Sequence, residues 1–203
     1  MFGFLKRADT ENGQAIIVVS GLPRSGTSMA MTMLEAGGIE VITDQVRTAD
    51  EDNPKGYYEL ERVKQLPKDS DQTWLKQYEG RGIKIVSHFL KDLPASYRYR
   101  VVFMNRAVGE VVASQNKMLD RRGTRSAAAD DTEVAALFEE HMRKVKSWLE
   151  HQPNFDVLHV AYSDVIENPE REANRIAQFL GLQLDCRKMA EAVDRKLYRN
   201  RKG

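Results

Sequence analysis

Cysteine is almost missing from the chain: Cys186 stands alone among 203 residues. An intramolecular disulfide is excluded, and a thiol with nothing nearby to activate it reads as structural. Long apolar runs are missing as well. The longest early one, Ala15-Ile16-Ile17-Val18-Val19, falls far short of the ~20 apolar residues that span a bilayer, so no transmembrane segment is expected. Neither charge sign is in excess, since 31 Lys plus Arg face 30 Asp plus Glu for a formal net charge of +1. That balance speaks against nucleic acid as a partner, because general nucleic-acid binders carry a basic excess; it still allows cations to gather around one small anion. Histidines are few and dispersed, at 88, 141, 151 and 159, and no cluster has metal-ligand spacing, so no metal is expected. The opening Met1-Phe2-Gly3-Phe4-Leu5-Lys6-Arg7 places its charges after its apolar residues, the reverse of a secretory signal. A cytoplasmic location is the expectation.

What is present suits one domain with a real core: 41% of residues are apolar and 30% charged. Residues 1–14 read as a polar lead-in and 15–203 as the domain, with no internal repeat. Strands are expected at 15–20, 39–42, 83–87, 100–105 and 155–161. Helices are expected at 27–36, near 58–66 and 70–79, at 109–121, 133–151 and 169–180, and from about 185 to 197. In the long helix Val134, Leu137, Phe138, Met142, Val145, Trp148 and Leu149 recur at helical spacing. Asn168-Pro169 opens the next helix and Gly181 closes it. The polar stretch 43–56 reads as a loop long enough for a lid. Alternation of strand and helix predicts an α/β fold with a mainly parallel sheet, in which ligands bind at the carboxyl ends of strands.

The loop after the first strand is Gly21-Leu22-Pro23-Arg24-Ser25-Gly26-Thr27-Ser28. Its spacing is that of the phosphate loop G-x-x-x-x-G-K-[ST], except that Thr27 takes the lysine position. Two glycines permit a tight turn, backbone N–H groups then face a concavity, and the following helix adds its positive end. Arg24 places a cation inside the loop, and Thr27 and Ser28 add hydroxyls. The bland alternative is a Gly-rich link between strand and helix. The missing lysine argues against ordinary ATP or GTP chemistry, where it reaches the β- and γ-phosphates.

Further on, Val101-Val102-Phe103-Met104-Asn105 leads into Arg106, and Ser114 follows eight positions later. An arginine leaving a strand end has a forked, permanent charge suited to phosphate. Pro23-Arg24-Ser25-Gly26-Thr27-Ser28 together with the Arg106/Ser114 pair resembles the sulfotransferases that use 3′-phosphoadenosine 5′-phosphosulfate (PAPS), in particular small bacterial members. Asn53-Pro54-Lys55-Gly56-Tyr57-Tyr58-Glu59 and the stretch from Tyr162 to Leu182 resemble further family segments, so the likeness covers roughly residues 15–182. It implies a P-loop NTPase-like three-layer fold with a central parallel sheet of about five strands. It implies that Pro23, Arg24, Ser25, Gly26, Thr27 and Ser28 bind the 5′-phosphosulfate and that Arg106 and Ser114 bind the 3′-phosphate. The family's full C-terminal basic cofactor segment is not present; Tyr198-Arg199-Asn200-Arg201-Lys202-Gly203 offers only cations.

The implied function is transfer of a sulfuryl group from PAPS to a hydroxyl or amine of a small-molecule or biopolymer acceptor, leaving adenosine 3′,5′-bisphosphate (PAP). Such a reaction needs mainly positioning and charge stabilisation, with Arg24 beside the leaving 5′-phosphate. Two residues are candidates for the general base. His88 follows the third strand, where cytosolic members carry Lys-Thr-His, here Val86-Ser87-His88 without the lysine. Glu59 lies where other branches carry a catalytic Glu, and its longer matching segment favours it. A His titrates near neutrality unaided, whereas a Glu needs desolvation or a partner. Trp74 reads either as core or as a wall of the acceptor pocket or a stacking partner of adenine. Two other readings are a nucleotide or small-molecule kinase and a non-catalytic PAPS- or PAP-binding protein. Acceptor identity and homo-oligomerisation are not legible.

Overall fold

The computed structural model describes residues 13–44, 56–124 and 130–194. Its centre is a five-stranded parallel sheet in the order β2-β3-β1-β4-β5. The strands are β1 (Ile16–Gly21), β2 (Val41–Ile42), β3 (Gly82–Lys84), β4 (Tyr99–Asn105) and β5 (Phe155–Ala161). The helices are α1 (Thr27–Ala36), α2 (Val108–Arg121), α3 (Asp131–Glu150), α4 (Tyr162–Glu167), α5 (Pro169–Leu180) and α6 (Cys186–Glu191). The expected α/β fold with about five parallel strands is the fold observed.

Each central strand is apolar on both faces because both faces are covered. Ile17 and Val19 of β1, with Val102 and Met104 of β4, meet α1, α4, α5 and α6. Ile16 and Val18, with Tyr99, Val101 and Phe103, face the opposite core, which Trp74, Leu75, Leu90 and Leu149 complete. Full burial of each such side chain contributes about 1.5–3 kcal/mol.

Several expected elements are shorter than the sequence pattern suggested. The third strand, expected to reach residue 87, ends at Lys84. Ile85 N still donates to Val19 O at 3.0 Å, but Ser87–Asp92 then winds into a 3-10 turn. The two short helices are 3-10 turns at Glu61–Gln65 and Thr73–Tyr78. Only Val41 and Ile42 of the second expected strand pair, with Gly82 and Ile83. α3 begins at Asp131 because the Asp130 side chain accepts Thr132 N at 2.8 Å, an N-cap. Leu137, expected on its apolar stripe, is 68% exposed. The helix packs on α2 and on the turn at 87–92, and it is Leu149, nearer its end, that enters the core. Helix α4 was not legible. The last expected helix is observed only as α6, and its expected end lies outside the described residues.

Candidate functional site

Three strand ends converge on one cavity. β1 runs into the loop 21–26, whose turn requires its glycines. Gly21 has φ 146°, and a Cβ there would stand 2.5 Å from Ser25 Oγ and 2.6 Å from Met104 O. Gly26 has φ 98°, and a Cβ there would stand 2.5 Å from the Tyr162 ring. Arg24 is also left-handed, at φ 69°. Left-handed residues inside such loops are what turn successive N–H groups into an anion-binding concavity. α1 then starts at Thr27 with no side-chain cap at its N-terminus, so its positive end is left to a ligand or to water. Ser25 Oγ is buried and has no hydrogen-bond partner among the described residues. A buried hydroxyl in that state is costly until something accepts or donates to it.

β4 delivers Arg106, and α2 carries Ser114. The two sequence motifs interlock: Arg24 Nε donates to Ser114 Oγ at 3.1 Å, and an Arg106 terminal NH2 group donates to Arg24 O at 3.1 Å. The Arg106 guanidinium lies 4.4 Å from the centroid of the Tyr162 ring. Its Nε donates to Glu110 Oε2 at 3.0 Å. Both side chains of this pair are largely buried, 6% and 11% exposed.

The cavity holds about 460 Å³, and its walls include Pro23, Arg24, Gly26, Thr27, Ser28, Arg106, Ser114 and Glu59. Those expected site residues are thus brought together, with Ser25 buried beneath the same loop. His88 is placed differently. It is exposed, does not line the cavity, and lies against Phe89 with the His141 ring 6.1 Å away. His141 takes the inner position there, its Nε2 2.8 Å from Ser87 Oγ. Burial, then the charges of His88 and Lys91, push His141 below the usual histidine range. Trp74 is core: it is buried, its Nε1 donates to Asp69 Oδ2 at 3.0 Å, and its ring meets Tyr78 edge-on.

Lys84 is a cavity residue that the sequence reading missed. Its Nζ lies 3.6 Å from Glu59 Oε1, with side chains 6% and 23% exposed, and it also donates to Tyr57 O. A lysine inside the apolar run Ile83-Lys84-Ile85-Val86 was the available signal, because an almost buried ammonium needs a partner. Glu59 is fixed through its main chain, where its carbonyl accepts Thr43 Oγ1 and Asp44 N at 3.2 Å each. The cavity walls therefore carry the cations Arg24, Lys64, Lys84 and Arg106 together with the carboxylates Glu59 and Asp194, an arrangement suited to a polyanion beside a proton acceptor. Among the described residues no group of three or more potential ligands could hold a metal ion, and no helix is long and apolar enough to cross a membrane. Most of the expected lid at 43–56 and the C-terminal cations lie outside the described residues.

No curated protein matches the chain. Among solved structures, the sulfotransferase domain from the Synechococcus PCC 7002 olefin synthase is similar, with a TM-score of 0.51 and 17% identity over 94% of this chain and 82% of that one. Mouse sulfotransferase SULT7A1 complexed with PAP is similar with a TM-score of 0.50 and 19% identity, over 88% of this chain and 62% of that one. At these identities the likeness concerns the fold. The profile of the sulfotransferase domain matches residues 14–203. With nearly its whole length matched, and a phosphate-type loop interlocked with a second arginine site at the strand ends, the chain belongs to the sulfotransferase domain family.

Proposed function

We propose that the protein transfers a sulfuryl group from PAPS to a hydroxyl or amine acceptor. The observation that carries this reading is the pair of anion cradles on one cavity, the loop 23–28 and Arg106 with Ser114, joined through Arg24. The residues fit a nucleotide phosphorylated at both ends. The buried Ser25 hydroxyl and the uncapped start of α1 suit one phosphate, and the Arg106 fork suits another. Thr27 at the position of the nucleotide-triphosphate lysine weighs against a kinase.

When bound, PAPS supplies the activated sulfuryl group and a stable bisphosphate leaving group. The rest is done by side chains of this chain. Arg24 and the loop amides hold negative charge where the leaving phosphate gathers it. Glu59, at the cavity wall, takes the acceptor proton on its carboxylate. Lys84, its Nζ 3.6 Å from Glu59 Oε1, sets a positive charge beside that carboxylate at the cavity wall. His88, exposed and outside the cavity walls, has no part in this scheme.

The test is transfer from sulfur-35-labelled PAPS to a panel of phenol, sugar, lipid and peptide acceptors, beside transfer from γ-labelled ATP with Mg²⁺. Label moving from PAPS with equimolar PAP release supports the proposal. Label moving only from ATP would favour the kinase reading. PAP binding with no transfer to any acceptor class would favour a nucleotide-binding protein without catalysis.

A further inference from the structure

We infer that Glu110 is the positioning residue of Arg106, and that through it the protein distinguishes nucleotides with a 3′-phosphate from those without. This rests on the reading of Arg106 as the 3′-phosphate group. Contacts with the described residues include three on the guanidinium. Glu110 Oε2 accepts Nε at 3.0 Å, Arg24 O accepts a terminal N–H at 3.1 Å, and the Tyr162 ring covers one face at 4.4 Å. Of these, only the contact with Glu110 meets the guanidinium with an opposite charge, which makes it the strongest of the three. It is also local. Glu110 follows Arg106 by four positions and lies in the first turn of α2, so the carboxylate comes from the helix that carries Ser114.

Space makes the contact matter. Beside the pair lies a second cavity of about 210 Å³, lined by Asn105, Arg106, Ala107, Glu110, Ala161 and Ser163. An arginine walled in on every side needs no further fixing. This one borders that second cavity, and the Glu110 carboxylate keeps the fork from turning into it. A guanidinium bonds phosphate through two parallel N–H groups in a fixed plane. A small rotation therefore loses one bond of the two, although the charge stays near.

Two effects of Glu110 oppose each other. Its charge offsets that of Arg106 and weakens the pull on a phosphate, while its hydrogen bond orients the fork and strengthens the grip. Because both side chains are nearly buried and the fork has room to swing, orientation decides.

A crossed pair of substitutions separates the two. Glu110→Asp keeps the charge and loses the reach; Glu110→Gln keeps an accepting oxygen at the same reach and loses the charge. The readout is the ratio of affinities for PAP and 5′-AMP, measured calorimetrically, with 5′-AMP affinity reporting an intact fold. We expect Glu110→Asp to lower the ratio about tenfold, the scale of one charge-assisted hydrogen bond. Glu110→Gln stays within about threefold of the parent ratio. Adding Glu110→Asp to Arg106→Ala lowers the ratio no further, since the residue acts through the arginine. The opposite pattern, or equal ratios in both variants, overturns the inference. A parent protein with no preference for PAP over 5′-AMP instead overturns the assignment of Arg106 itself. The two failures are thereby distinct.

Discussion

Glu59→Gln lowers turnover with PAPS by ~10²–10⁴-fold, the usual worth of a positioned general base, and leaves PAP affinity nearly unchanged. The separation follows from place. Glu59 lies on the cavity wall beside Lys84 Nζ at 3.6 Å, while the two anion cradles are built from other elements. The main chain of residue 59 is held by Thr43 and Asp44, so the amide side chain takes the place of the carboxylate without moving the segment. His88→Ala serves as the counterpart and keeps turnover within about twofold, since an exposed surface substitution away from the site is usually near neutral. Steady-state kinetics on the two variants settles the choice. A loss confined to His88→Ala would return the base to the histidine and leave Glu59 as no more than a partner for Lys84.

Arg24→Ala has the second large effect, a fall in turnover of ~10²–10³-fold, the range seen when one preorganised donor to developing charge is removed. It also weakens PAP binding, because the side chain that lines the first cradle also donates to Ser114 in the second; the carbonyl that accepts Arg106 is kept. Arg24→Lys recovers charge but not the planar fork, so it restores part of the turnover and less of the binding. Turnover and PAP affinity measured together check this. An Arg24→Ala enzyme with parental turnover would remove the loop cation from the mechanism.

How far these roles could be read from sequence depends on how local their causes are. The loop 21–28 is legible because a strand, a turn and a helix follow one another in the chain, and the constraint falls on neighbouring residues. Arg106 and Ser114 are legible for the same reason: strand end and helix fix their spacing. Glu59 is named by the family resemblance alone, and its pairing with Lys84 escapes because their meeting is tertiary. One ends β3, the other follows a polar loop, and no local pattern pairs them. Glu110 escapes differently. Its spacing from Arg106 is visible, but only the fold shows that both side chains are buried and that Tyr162 covers the guanidinium. The short third strand was misread because Ile85 and Val86 continue the β-branched pattern, yet β2 supplies only two pairing residues at its flank. Leu137 shares the stripe of α3 with Leu149 yet is 68% exposed, because the helix meets the core from about its midpoint on, with Met142, Val145 and Trp148 packed against it and Leu149 inside it.

The most direct measurement is a thermal-shift titration of the protein with PAP, 5′-AMP and Mg-ATP side by side. A ligand at a hundredfold excess over its Kd adds ~2.7 kcal/mol to stability, and each kcal/mol moves Tm by ~2–4 °C in a domain of this size. Strong stabilisation by PAP, weak stabilisation by 5′-AMP and none by Mg-ATP is the result the two-cradle site predicts. Stabilisation by Mg-ATP with no response to PAP would contradict it.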